Sequence, residues 1–172
     1  MNWTHVHLFM NHVPVMGTLF GILLLAAAMA MRSTQLKRVS LTVFVFVALA
    51  ALPVYFTGEP AEETVKHLPG VNEVNIEQHE AAAKLSFVVI EALGVLALGV
   101  ILLSRRSNTV PTGLLSAIFL VSLVAGGLVA RTANLGGQIR HSEIRIAATP
   151  STQADQAPTT EPPKTEQGED DD

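Results

Sequence analysis

The sequence predicts an all-α fold: a bundle of four transmembrane helices followed by a disordered acidic tail. Three observations carry that prediction. The apolar residues are gathered into four long blocks rather than spread at a helical or strand period. Only 15% of the 172 residues are charged, against about a quarter in an ordinary soluble chain. The charge is also unevenly placed: from Ala147 onward seven acidic residues stand against one lysine, while the residues before it are close to neutral.

The first block runs from Val13 to Met31, behind a mixed stretch from Trp3 to His12. The second spans Val39 to Phe56, the third Leu85 to Leu103 with Glu91 inside it, and the fourth Leu114 to Ala130. Each is close to the roughly 20 residues a helix needs to cross a bilayer core. A span must also satisfy its own backbone polar groups, which selects helix. With their flanks, the expected helices cover 5–31, 39–57, 76–104 and 111–140, inside a membrane domain of residues 1–146. The stretch ahead of the first block has no Lys or Arg, and Arg32, Lys37 and Arg38 follow the block. A retained first helix is therefore expected rather than a cleaved signal peptide.

Arg32, Lys37 and Arg38 follow the first span and Arg105 and Arg106 the third. The segment between the second and third spans holds Glu59, Glu62, Glu63, Glu73, Glu77 and Glu80 against Lys66. The positive-inside rule then places both termini and the 57–80 segment outside the cytoplasm, although Arg131, Arg140 and Arg145 on that same side narrow the contrast. The 57–75 segment, with Pro60, Pro69 and Gly70, is expected to be irregular. Gly58 is expected to end the second helix as a left-handed cap, and Asn75 with Gln78 to open the third near Ile76 as a capping box. The fourth helix is expected to run on toward Arg140. Residues 147–172, rich in Pro, Thr and acid, lack the apolar area needed to offset ordering entropy.

The composition excludes several functions. With no cysteine, there is no disulfide, thiolate metal site, iron–sulfur cluster or covalent haem. No basic stripe points to nucleic acid. No nucleophile, base and oxyanion donor can be assembled for hydrolysis.

The six histidines are the candidates for chemistry. His5, His7 and His12 precede the first span, His67 lies between the second and third, His79 opens the third and His141 follows the fourth. All therefore fall on one side of the membrane. Imidazole is the side chain best suited to bind haem iron, copper or zinc in a thiol-free protein. Two histidines from different helices would hold a b-type haem. The expected axial pair is His12 and His79, with His7 and His141 next. Room for a macrocycle is sought at Gly17, Gly21, Ala81 to Ala83, Gly126 and Gly127. Lys84, Arg131 and Arg140 are candidates to neutralise propionates. Against this stands a purely structural reading, in which histidines sit at the interface and small residues pack the helices.

Two further residues bear on the site. Pro14 either kinks a helix that begins near Trp3 or falls in the first turn of one capped by Asn11. Glu91 lies about 18 Å beyond His79 along the third helix. An ionisable group inside a span is a candidate proton relay; the alternative is a protonated carboxyl bonded to Ser122 or Thr18. Gly136-Gly137 would break the fourth helix or allow close backbone approach.

His7, His12 and Pro14, in the pattern His-x4-His-x-Pro, resemble the opening motif of an uncharacterised family of small bacterial four-helix membrane proteins. Gly58 at the end of the second helix, His79 entering the third and Leu135-Gly136-Gly137 near the end of the fourth extend the resemblance over residues 5 to 145. The chain departs from the family at Leu8, where proline usually follows the first histidine, and over Gln138 to His141. Some relatives look like membrane partners of Rieske-type iron–sulfur domains, which implies respiratory redox company. The leading expectation is a small haem b- or metal-binding accessory subunit in respiratory electron transfer, in a bacterial cytoplasmic membrane. The competing ones are a non-catalytic assembly subunit and a proton or small-solute carrier using Glu91.

Overall fold

In the computed structural model, which describes residues 3–105, 110–141 and 144, the chain forms five helices and, among those residues, no strand. They are α1 (Trp3–Met10), α2 (His12–Ala30), α3 (Thr34–Val65), α4 (Glu73–Leu103) and α5 (Thr112–Arg140). The acidic tail expected over 147–172 lies outside the described residues.

Four helical segments are long and apolar enough to cross a membrane: Trp3–Ala30, Thr34–Val65, Glu73–Leu103 and Thr112–Arg140. Most of each span's surface faces outward and is apolar. Phe20, Phe46 and Val95 are 57%, 62% and 68% exposed. That much outward aromatic and aliphatic surface would be an aggregation liability in water and is ordinary against lipid. The protein is a multi-pass membrane protein.

The helix boundaries correct the sequence reading in three places. First, the N-terminal span is two helices. Asn11 interrupts it while keeping helical φ and ψ, with no side-chain cap bond, and its N–H still reaches His7 O at 2.9 Å. Pro14 sits in the first turn of α2, where its missing N–H costs little. Second, Gly58 does not end the second helix. α3 continues to Val65 with Pro53 and Pro60 inside it, so most of the segment expected to be irregular is helical. Third, α4 is opened by Asn72, whose side chain accepts from Val74 N at 2.9 Å, and not by Asn75. α5 runs through Gly136 and Gly137 to Arg140 without a break.

The helices pack as a square. α2 contacts α3 and α5, and α4 contacts α3 and α5, while across the diagonals no Cα of α2 comes within 8 Å of α4, nor any of α3 within 8 Å of α5. Glycines set the spacing, as they do where lipid supplies no hydrophobic drive between helices. A Cβ on Gly17 would meet Val47 Cγ2 at 2.6 Å and one on Gly21 would meet Phe44 Cε1 at 2.5 Å; Gly126 faces Ile22 Cδ1 at 2.8 Å, and Gly94 faces Ala48. The room sought for a macrocycle at Gly17, Gly21 and Gly126 is thus taken up by neighbouring side chains.

The core is unequal along the bundle. The larger cluster, with Leu25, Leu41, Phe44, Leu93, Leu115 and Ile118, fills the half where α2 ends and α5 begins. A smaller one, Val47, Ala48, Ala51, Ile90 and Val129, continues it. Beyond these the buried residues are smaller and mixed, Ala61, Ile76 and Ala82 with Thr57 and Ser86, beside the part-buried His7 and His79. There α1 leans chiefly on α3, and no Cα of α1 lies within 8 Å of α4 or α5. The square is open at that end.

Candidate histidine site

Two imidazoles stand at the open end, and each is held by the same device. His7 on α1 places Nδ1 3.0 Å from Val54 O of α3 and 3.3 Å from Thr57 Oγ1. His79 on α4 places Nδ1 3.0 Å from Thr132 O of α5. A backbone carbonyl can only accept, so both Nδ1 atoms carry the proton and both neutral rings have their lone pair on Nε2. No described residue bonds to either Nε2.

The sequence provides for this contact in a way that repeats. Val54 and Thr132 are each four residues before a helical glycine, Gly58 and Gly136. In a helix the carbonyl of residue i already accepts from the N–H of residue i+4, and a Cβ at i+4 would crowd a second donor. Gly58 lies with its hypothetical Cβ 3.7 Å from His7 Cε1; at Gly136 the same atom would be 3.0 Å from His79 Cε1 and 3.2 Å from its Nδ1. Gly136 serves as an opening through which His79 reaches a main-chain oxygen, whereas a Cβ at Gly58 would make only an ordinary contact with His7. The hairpin of α1–α2 with α3 and the hairpin of α4 with α5 thus carry equivalent parts: a histidine near the start, and a carbonyl–glycine pair near the end.

The Thr132 side is braced further. Its hydroxyl lies 2.8 Å from Ser86 Oγ and also donates to Leu128 O at 3.0 Å. His79 and Ser86, two turns apart on α4, therefore both grip one residue of α5. On the other side Thr57 Oγ1 is tied to Pro53 O at 2.7 Å. Both histidines are part-buried, and they lie near enough across the diagonal for the charge of one to act on the other. No Cα of α1 lies within 8 Å of α4 there, and the two rings reach the bundle end from separate helices.

The remaining candidates are placed differently. His12 is exposed and its Nδ1 lies 3.2 Å from Leu8 O of its own turn; the structure brings His7, not His12, to His79. His141 caps α5 and is exposed, nine residues past Thr132 and hence about 13 Å along the axis. Arg131 and Arg140 are exposed on α5, and Lys84 is paired with Glu80 at 2.9 Å. Around this end Glu59, Glu62, Glu63 and Glu80 lie close enough to act on one another. Lys66 is bonded to Glu63 at 2.5 Å, and that carboxylate raises its ammonium above the usual lysine range.

Glu91 is half-buried, and its Oε1 has no hydrogen-bond partner. Neither expected partner reaches it: Ser122 donates to Phe119 O at 2.7 Å, and Thr18 Oγ1 is itself buried without a partner.

No family model, curated protein or solved structure matches the chain.

The donor set narrows what it can hold. Among the described residues no three His, Asp or Glu side chains converge as a metal-ion site, whereas a structural or catalytic zinc draws three or four protein ligands. Two imidazoles from separate helices, each with Nε2 free of any bond to a described residue, suit a metal that brings its other ligands with it. Haem is such a group, requiring only axial donors from the chain. The carbonyl held by each Nδ1–H matches the outer bond that ligating histidines ordinarily make.

Proposed function

We propose that this protein is a small b-type cytochrome, with His7 and His79 as the axial ligands, carrying electrons at one face of the membrane. The observation that carries the reading is the pair of imidazoles from opposite corners of the bundle. Each has Nδ1 tied to a backbone carbonyl and Nε2 bare. Haem iron between two imidazoles exchanges single electrons and needs no open coordination position. The chain's own work is to fix both tautomers, aim both nitrogens and keep bulk water from the histidine end of the bundle.

In this reading the electron partners meet the protein at the histidine end, on the non-cytoplasmic side of a bacterial inner membrane with both termini, an orientation that the positive-inside contrast supports. Some members of the family the chain resembles look like membrane partners of Rieske-type proteins, which makes a respiratory complex the natural company, and Arg131 and Arg140 are the candidate cations for propionates. The test is direct. Protein purified from haem-replete membranes should show an α-band in its dithionite-reduced minus oxidised spectrum and bind about one haem per chain. No α-band would remove the proposal.

A further inference from the structure

The end of the bundle away from the histidines carries charge of one sign. Arg32, Lys37, Arg38 and Arg105 stand there, and neither residues 1–58 nor residues 92–142 contain an Asp or Glu. Arg38 is occupied, donating Nη2 to Ser104 O at 3.2 Å. The side chains of Arg32 and Lys37 make no ion pair or hydrogen bond with any described residue.

Those two free cations line a recess of about 410 Å³ between the α2–α3 turn and the first turn of α5, together with Met29, Thr112 and Leu115. Its rim is cationic, and its apolar surface comes from the half-buried Met29, backed by the fully buried Leu115. The spans are 28 to 32 residues long, or about 42–48 Å, which exceeds a hydrocarbon core of about 30 Å and puts their ends among the headgroups. A cationic rim beside an apolar surface at that depth matches a phosphate joined to acyl chains.

The backbone at Arg32 adds a reason for an arginine there. α2 ends in a Schellman turn: Arg32 N bonds to Met29 O at 3.2 Å and Ser33 N to Ala28 O at 3.1 Å, with Arg32 at φ +53°. Glycine is the residue that takes this position at least cost. An arginine holds it against that preference.

We propose that this recess binds the phosphate of an anionic membrane phospholipid, with Arg32 and Lys37 as counter-charges, Thr112 as hydroxyl donor, and the half-buried Met29 against the glycerol and first methylenes. The shared chemistry is a phosphate oxyanion, and the apolar surface favours a lipid over free phosphate as its source.

The test uses full-length protein in detergent micelles, with dioleoylphosphatidylglycerol or dioleoylphosphatidylcholine added, and retained lipid read by native mass spectrometry. The wild type should retain the anionic lipid over the zwitterionic one. The double variant Arg32→Gly/Lys37→Gln should bind it about thirtyfold more weakly, each cation near a membrane surface being worth about fivefold, while Arg105→Gln leaves retention unchanged. Because Arg32→Gly suits the left-handed backbone, its Tm without lipid should not fall, which separates lost binding from lost folding. Equal retention by wild type and double variant, or no preference for the anionic lipid, overturns the proposal. Displacement of the lipid by an equal concentration of inorganic phosphate would assign the recess to free phosphate and overturn the lipid assignment.

Discussion

Replacing Gly136 by alanine separates a structural glycine from one that positions a ligand. The added Cβ would lie 3.0 Å from His79 Cε1 and 3.2 Å from Nδ1, when non-bonded carbons prefer about 3.5–4.0 Å. The imidazole must retreat by about 0.5–1 Å, which stretches its 3.0 Å bond to Thr132 O to or past the hydrogen-bond limit. Losing that bond costs about 0.5–1.5 kcal/mol. Gaining alanine inside a helix returns about 0.5–1 kcal/mol. The stability of the haem-free protein should therefore change little. Haem affinity should fall about 10- to 100-fold, the usual cost of removing an outer bond from a ligating histidine. Gly58→Ala is the internal control: its Cβ would meet His7 Cε1 at 3.7 Å, an ordinary contact, so affinity should hold. The assay is a haemin titration of haem-free protein in detergent, followed at the Soret band. If Gly136→Ala binds haemin as tightly as wild type, the carbonyl–glycine device is not what sets His79.

Other outcomes follow from the same packing. Gly21→Leu should abolish assembly of the folded bundle, read as loss of a monodisperse peak in size-exclusion chromatography, because even one Cβ there would fall 2.5 Å from Phe44 Cε1. Glu91→Leu should raise Tm by a few degrees, since it removes a buried carboxyl oxygen that has no partner; unchanged growth or transport in Glu91→Gln would remove a carrier role. Thr132→Val deletes the 2.8 Å contact with Ser86 but leaves the carbonyl that holds His79. It should cost about 1 kcal/mol of stability with haem affinity unchanged. The chain has no native cysteine, so Thr64→Cys gives a single label site at the histidine end. An impermeant maleimide should label it in intact spheroplasts, and labelling only after lysis would invert the proposed orientation.

The membrane architecture was legible because apolar block length reports directly on bilayer thickness. All four spans came out where the blocks lie. The boundaries were less legible. Gly58 reads as a helix stop by propensity, yet tertiary contact wins: at that glycine His7 enters, and α3 runs on past Pro60 to Val65. Asn75 and Asn72 both carry cap chemistry, and only the backbone decides that Asn72 opens α4. The clustering of histidines at one end could be read from span order alone. Which two reach across to a neighbouring helix could not, because block order alone does not say that His7 meets Val54 O while His12 bonds within its own turn. A signal was available in the spacing: a glycine four residues after an imidazole-bonded carbonyl occurs in both hairpins, at Val54–Gly58 and Thr132–Gly136. It has no meaning until the partners are known to be adjacent.

The central claim concerns two particular nitrogens, so the deciding measurement is haem per chain in His7→Ala, His79→Ala and His12→Ala, each purified alongside wild type and confirmed folded by circular dichroism. The account predicts wild-type haem in His12→Ala and loss of the low-spin bis-imidazole spectrum in the other two. Haem retained in His7→Ala or His79→Ala, or lost in His12→Ala, would contradict it.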